Sequence, residues 1–95
     1  MENFFYGSFN LTFHEGTETG YLAVHPEMYP ANPGIRPSGN YFIYCIHPER
    51  GSCTFVVKQD ENCKWFSEKK LLFISDAFVE WIGEQIVLQG RHHNC

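Results

Sequence analysis

The chain has 95 residues and a mass of 11.1 kDa, the size of one small domain, which we expect to span 1–95. Its residues are 43% hydrophobic and 17% aromatic, a composition too apolar for a disordered chain. The formal net charge is −4, and the basic residues are scattered, with Lys69-Lys70 as the only adjacent pair. Direct binding to nucleic acid is therefore not expected.

Two features of the chain bear on its cellular compartment. No run of about eighteen apolar residues is present, so no membrane span is expected. The N-terminus, which begins Met1-Glu2-Asn3, has neither the basic nor the apolar segment of a secretory signal. We therefore expect a cytoplasmic protein whose cysteines are thiols, although the sequence does not exclude a pairing among them. The cysteines are Cys45, Cys53, Cys63 and Cys95.

The N-terminal segment alternates between apolar and polar residues. The even-numbered positions are polar from Ser8 onward, and a residue pattern with this period is typical of a strand with one buried face. Gly7 interrupts the apolar positions and indicates a bulge or a close backbone approach. The apolar side of this predicted strand consists of Phe5, Phe9, Leu11 and Phe13.

A tight turn at 15–18 joins this strand to a second predicted strand over 21–25. Gly16 supplies the positive φ that such a turn needs. A two-residue loop places Leu22 opposite Phe9, whereas a four-residue loop places Leu22 opposite Leu11. Both registers put Leu22 on the face that carries Phe9, so the predicted core face is the same in either case.

Residues 26–39 contain four of the five prolines. Pro26 is predicted to stop the second strand, because proline has no N–H to donate to a ladder. The segment is predicted to form a long, stiff loop with polyproline character. Loops of this length in small domains often carry function.

Three further strands are predicted at 40–47, 52–59 and 63–66, with Trp65 near Val57 across the last hairpin. The first of these is apolar on both faces and is expected to lie centrally in the sheet. A helix follows over 76–88, and 91–95 is a frayed tail. The start of the helix is indicated by Ser75 as N-cap, by Asp76 in the first turn, and by Ile74 and Val79 at staple spacing. Its apolar stripe consists of Phe78, Val79, Ile82 and Ile86. Gly83 is expected to allow a close approach to the sheet, and Gly90 to end the helix.

The order of these elements, strands followed by one helix, predicts an α+β fold. We expect an antiparallel β-sheet of about five strands, arranged as a meander of hairpins, with the C-terminal α-helix packed on one face. Without the helix, the aromatic side of the first strand would face water, so we expect the helix to cover that side.

Metal binding is the first chemistry to consider, because the chain has five histidines and four cysteines. Cys45, Cys53 and Cys63 are much farther apart than the roughly two to four residues that separate ligands on a zinc knuckle. We therefore expect no metal and no cofactor. A zinc-stabilised small domain is an alternative, which a chelator would reveal by lowering the melting temperature. A meander would bring His14 and His47 to the same edge of the sheet.

Catalysis is the second chemistry, and the sequence offers little for it. Cys45 and His47 fall on the same face of a predicted strand, but too far apart for a direct hydrogen bond. The chain has no Gly-x-Ser-x-Gly elbow, phosphate loop or dinucleotide fingerprint. We therefore expect a protein without enzymatic activity. A small-molecule site at the Pro-rich loop, lined by His25, Tyr29 and Arg36, is an alternative.

The surplus of aromatic residues is the feature that points to a function. The chain has nine Phe, five Tyr and two Trp, more than a small core needs, and exposed aromatic residues beside Arg and Pro are typical of protein interfaces. The sequence predicts a non-catalytic protein-interaction module that acts through an aromatic sheet face, the Pro-rich loop or both. A homodimer is a further option, and an acidic inhibitor of a nucleic-acid-handling protein is an alternative. The candidate binding residues are Tyr21, Tyr29, Ile35, Arg36, Tyr41 and Tyr44.

Overall fold

The computed structural model describes residues 8–90, and it confirms the predicted α+β fold. Five consecutive strands pair antiparallel with their neighbours in chain order, which is the expected meander, and the helix follows them. The expectations for Phe5, Gly7 and the tail 91–95 fall outside the described residues. No helix within residues 8–90 has the length and apolarity needed to cross a membrane. The elements are β1 Phe9–Glu15, β2 Glu18–Pro30, β3 Ile35–His47, β4 Gly51–Gln59, β5 Trp65–Phe66 and α1 Asp76–Leu88.

The hairpin of β1 and β2 adopts the second of the two predicted registers. Leu22 lies opposite Leu11, and Glu15 and Glu18 form the last pair before the turn. Gly16 has a φ of 64°, the left-handed conformation for which glycine was expected there. The apolar side chains of both strands therefore share one face, as the alternation predicted.

The Pro-rich segment is a two-stranded β-ribbon, so the prediction of a long loop over 26–39 was wrong. β2 continues through Pro26 to Pro30, β3 begins at Ile35, and the connection between them is confined to 31–34. The ladder of β1 with β2 ends at Val24, and the ladder of β4 with β3 ends at Tyr41. Among residues 8–90, each ribbon strand pairs beyond these points only with the other ribbon strand. A proline there removes no hydrogen bond to another described strand. We call residues 26–39 the distal ribbon.

A β-bulge separates the distal ribbon from the rest of the sheet. Pro26 pairs with Tyr41 and Met28 with Pro37, so Glu27 alone faces the three residues 38–40. The Glu27 carboxylate oxygen Oε1 accepts hydrogen bonds from Ser38 Oγ at 2.6 Å and from Asn40 Nδ2 at 3.0 Å. The hydrogen bond from Ser38 and then the one from Asn40 hold the pKa of Glu27 below its usual value. The Glu27 carboxylate thus stabilises the bulge through hydrogen bonds to two of the three residues opposite it.

The core lies between one face of the sheet and α1. Of the predicted helix stripe, Val79, Ile82 and Ile86 are fully buried, while Phe78 is partly buried and packs against the core. Along β2 and β3 every second residue is buried over 20–24 and 41–47, as expected for strands with one covered face. The buried sheet residues are Phe13, Gly20, Leu22, Val24, Tyr41, Ile43, Cys45, His47, Phe55, Val57 and Trp65.

Both ends of α1 follow the sequence signals. The Ser75 hydroxyl accepts a hydrogen bond from the Phe78 backbone N–H at 3.0 Å, as an N-cap does. Ile74 and Val79, the predicted staple pair, are both fully buried. At the other end, Gly90 has a φ of 72° and ends the helix. The signals that mark both helix ends therefore involve residues that are close together in the chain.

Trp65 connects the sheet to the helix. It lies opposite Gln59 in the ladder of β4 with β5, two residues from the predicted partner Val57. Its indole is buried and packs directly on the backbone of Gly83 in α1, so a Cβ on Gly83 would be 2.2 Å from the Trp65 Cγ atom. The expected close approach of the helix to the sheet is confirmed at Gly83.

Candidate functional site

The sheet face that points away from α1 carries large apolar side chains that are open to water. Tyr21 on β2 lies opposite Ile46 on β3, and Phe42 and Tyr44 follow on the same side of β3. Each of the four side chains is between 44% and 53% exposed. Large exposed apolar side chains in one cluster are typical of surfaces that bind another molecule. We call Tyr21, Phe42, Tyr44 and Ile46 the outer aromatic patch.

The predicted binding residues separate into three groups. Tyr21 and Tyr44 belong to the outer aromatic patch. Tyr29, Ile35 and Arg36 lie in the distal ribbon, where all three are exposed and Tyr29 is the cross-strand partner of Arg36. The ribbon residues are therefore available for contact, but they lie outside the patch.

Tyr41 is the predicted binding residue that the structure excludes from the surface. It is 2% exposed and its ring packs against Trp65, with 6.1 Å between the ring centroids. Side chains of odd-numbered residues from 41 to 47 in β3 point to the helix, and those of even-numbered residues point outward. Tyr41 is therefore a core residue, because its side chain points to the opposite side of β3 from that of Tyr44.

Two patch residues, Phe42 and Ile46, were missed by the sequence reasoning. β3 is apolar on both sides, so its composition does not distinguish the covered side from the open one. The signal that would have found them is the period of two from Tyr44, since 42, 44 and 46 share one side of the strand. Exposure in the folded sheet identifies that side as the open one.

A groove of about 540 Å³ extends from the patch across β4. Phe42, Tyr44 and Val56 form its apolar walls, and the segment 67–69 that follows β5 forms its polar end. Its charged or polar lining residues are His25, Lys58, Ser67, Glu68 and Lys69, together with Thr54. We call this feature the β4 groove. His25 belongs to it, whereas Tyr29 and Arg36, the other residues of the proposed small-molecule site, lie in the distal ribbon.

A second cavity, of about 670 Å³, lies on the helix side beside His47. The His47 ring is 5.8 Å from that of Phe13 and 5.2 Å from that of Phe73. Its Nδ1 accepts the Glu49 backbone N–H at 3.1 Å, and its Nε2 lies 3.8 Å from Glu15 Oε1. Because Nδ1 accepts this hydrogen bond, the proton of the neutral ring is on Nε2, on the side of Glu15.

The two free cysteines within residues 8–90 are held mainly in the thiol form. Cys45 lies opposite Cys53 in the ladder of β3 with β4, and both are free thiols. Burial, with a smaller effect of Cys53, raises the pKa of Cys45 to about 12, and burial also raises the pKa of Cys53. Neither forms much thiolate near neutral pH. Cys63 is in a disulfide, contrary to the expectation that all four cysteines are thiols.

Native-state alkylation tests this view of Cys45. Treatment with iodoacetamide at pH 8 is expected to leave Cys45 unmodified in the folded protein, because the reaction needs an accessible thiolate and Cys45 is buried with a raised pKa. The same treatment in denaturant should modify Cys45 fully, and peptide mass spectrometry measures both. Rapid labelling of Cys45 without denaturant would show that this strand opens or that its thiol is activated.

Between residues 8 and 90, no three side chains of His, Cys, Asp or Glu lie close enough together to hold a metal ion. His14 is exposed at the end of β1, and its Nδ1 is 3.4 Å from Thr19 Oγ1. His47 instead lies on the covered side, so the two histidines that the meander brings to one edge are on opposite faces of the sheet.

No family model, no curated protein and no solved structure matches this chain.

Proposed function

We propose that this protein is a small, non-catalytic interaction module that binds a protein partner through the outer aromatic patch. The observation that carries the proposal is the exposure of four large apolar side chains on the sheet face that α1 does not cover. Burying them against a partner would remove a large apolar area from water, which favours association. Tyrosine and phenylalanine also lose little conformational entropy on binding.

The distal ribbon supplies a second region of contact. It extends beyond β1 and β4 as two strands, and its Tyr29 and Ile35 side chains are exposed. The Glu27 bulge holds the ribbon at its base through two hydrogen bonds. A ribbon of this kind offers exposed side chains to a partner.

Substitution within the patch tests the proposal. The double variant Tyr44→Ser, Ile46→Ser is expected to lose partner binding while its free energy of unfolding changes by about 1 kcal/mol or less per site, because both side chains are already half exposed. Pull-down from native cell extract, quantified by mass spectrometry, measures binding, and thermal melting measures stability. Tyr29→Ala, with a comparable effect on stability, reports whether the distal ribbon contributes to the same complex.

The controls separate this function from its alternatives. Glu84→Ala changes an exposed residue on α1, away from the patch, and should retain every specific partner. A double variant that captures the same proteins as the parent would contradict the proposal. Light scattering shows whether the captured partner is a second copy of this chain. A steep loss of binding with added salt would favour the acidic inhibitor instead, since apolar contacts depend little on ionic strength.

A further inference from the structure

Lys69 differs from the other described lysines in having no carboxylate partner. Three of the four lysines between residues 8 and 90 are paired: Lys58 lies 3.5 Å from Glu68, Lys64 lies 2.7 Å from Glu80, and Lys70 lies 3.1 Å from Asp76. Lys69 forms no such pair with any described residue, and it lines the β4 groove. An unpaired cation beside an apolar groove is an attractive position for an anion.

Ser67 provides a second, independent observation at the same end of the groove. Its hydroxyl oxygen is buried and has no hydrogen-bond partner among the described residues. Buried polar atoms in folded proteins are nearly always hydrogen-bonded, so an unpaired hydroxyl needs an explanation. The buried oxygen is out of reach of a ligand in this rotamer, but a rotation about χ1 would turn the hydroxyl toward the groove, where it would donate to a ligand carboxylate.

The charge of the lining differs in sign from that of the whole chain. The groove is lined by Lys58, Lys69 and one carboxylate, Glu68, so these groups carry a net charge of about +1. The complete chain has a formal net charge of −4. The remaining walls are largely apolar, and the volume of about 540 Å³ lies within the range of small-molecule sites.

From these observations we infer that the β4 groove binds a small anionic amphiphile, a molecule with one carboxylate and an unbranched apolar body. The carboxylate pairs with the Lys69 ammonium and accepts a hydrogen bond from the Ser67 hydroxyl. The apolar body lies along Phe42, Tyr44 and Val56. This site goes beyond the proposed function: it shares two side chains with the outer aromatic patch, but it rests on a different cation and hydroxyl.

Three probes of equal chain length test the sign of the head group. Decanoate, decan-1-ol and decylammonium are titrated separately into the full chain, below the concentrations at which they form micelles, and binding is followed by amide chemical shifts. Decanoate is expected to bind about tenfold more tightly than the alcohol, as the gain of a charge-assisted hydrogen bond implies. Its largest shifts are expected at residues 54–58 and 67–69. Equal affinity for decylammonium, or shifts centred elsewhere, would overturn the proposal.

Two lysine variants provide a matched comparison. Lys69→Glu is expected to weaken decanoate binding by about tenfold or more, because it replaces the attracting charge by a repelling one. Lys64→Glu makes the same change of charge outside the groove, and it should leave decanoate affinity within about twofold of the parent. Equal losses of decanoate affinity in both variants would show that only the net charge of the protein matters, and they would refute a site at Lys69.

The neutral variants Lys69→Gln and Ser67→Ala complete the test. Each removes one proposed contact without adding a negative charge, and each should weaken decanoate more than decan-1-ol. Amide spectra of the free proteins verify that the variants are folded. Because the test uses defined probes and no protein partner, its failure would leave the pull-down result at Tyr44 and Ile46 unaffected, and the reverse also holds.

Discussion

Replacing Gly83 with alanine is expected to lower the free energy of unfolding by about 1–3 kcal/mol, the usual cost of overpacking a tight core. The added Cβ would be 2.2–2.4 Å from three atoms of the Trp65 indole. Trp65 is itself buried against Tyr41, so the ring has little space into which it can move. Thermal and denaturant unfolding monitored by circular dichroism measure the loss.

Whether Gly83→Ala lowers or raises stability distinguishes a tightly packed glycine from an exposed one. At an exposed helical position, alanine in place of glycine stabilises by about 1 kcal/mol, because glycine loses more backbone entropy on folding. Glu84→Ala, at the adjacent exposed position, is the control and should stay within about 0.5 kcal/mol of the parent. If Gly83→Ala melts at or above the parent temperature, the helix does not approach Trp65 as closely as the structure shows.

Replacing Phe13 with alanine is expected to cost about 3–5 kcal/mol of stability, as for other buried phenylalanines. The ring is 8% exposed and meets the Phe78 ring edge to face, with 4.9 Å between centroids. It also covers its cross-strand partner Gly20, where a Cβ would be 2.2 Å from the ring. Removing it would open a cavity beside His47 and uncover the backbone of Gly20.

Phe9→Ala is the matched comparison on the same strand. The alternation in the sequence placed Phe9 on the same core face as Phe13. The structure shows Phe9 only partly buried and packed against the edge of the core, so we expect a smaller loss than for Phe13. A loss at Phe9 equal to or greater than the loss at Phe13 would show that the core extends farther toward the N-terminus.

The features that the sequence predicted correctly depend on short-range interactions. The Ser75 cap, the staple pair and the turn at Gly16 each involve residues a few positions apart, so their chemistry is readable from the chain. The alternation of Phe9, Leu11 and Phe13 likewise identifies one face of β1. The α+β class followed from the order of these elements.

The distal ribbon shows where local rules were insufficient. Proline was expected to end β2, because an interior strand needs its N–H groups. Pro30 and Pro37 lie instead in a part of the ladder where, within residues 8–90, each ribbon strand pairs only with the other. Whether a strand continues through a proline therefore depends on which strands lie beside it in the sheet, and these are distant in the chain.

The candidate site, like the fold, could be predicted from the sequence only in part. Composition alone reveals an excess of aromatic residues and so indicates a binding surface, but it cannot assign Tyr41 to the core and Tyr44 to the surface. That assignment depends on which side of β3 the helix covers, and one side is as apolar as the other. Likewise, Lys69 and Ser67 are ordinary residues in the chain and become notable when the sheet places the apolar walls beside them. The helix cap, the turn and the strand alternation could be predicted from the sequence, because they depend on residues close together in the chain. Side-chain exposure, ion pairing and the net charge of the groove could not, because they depend on contacts between distant segments.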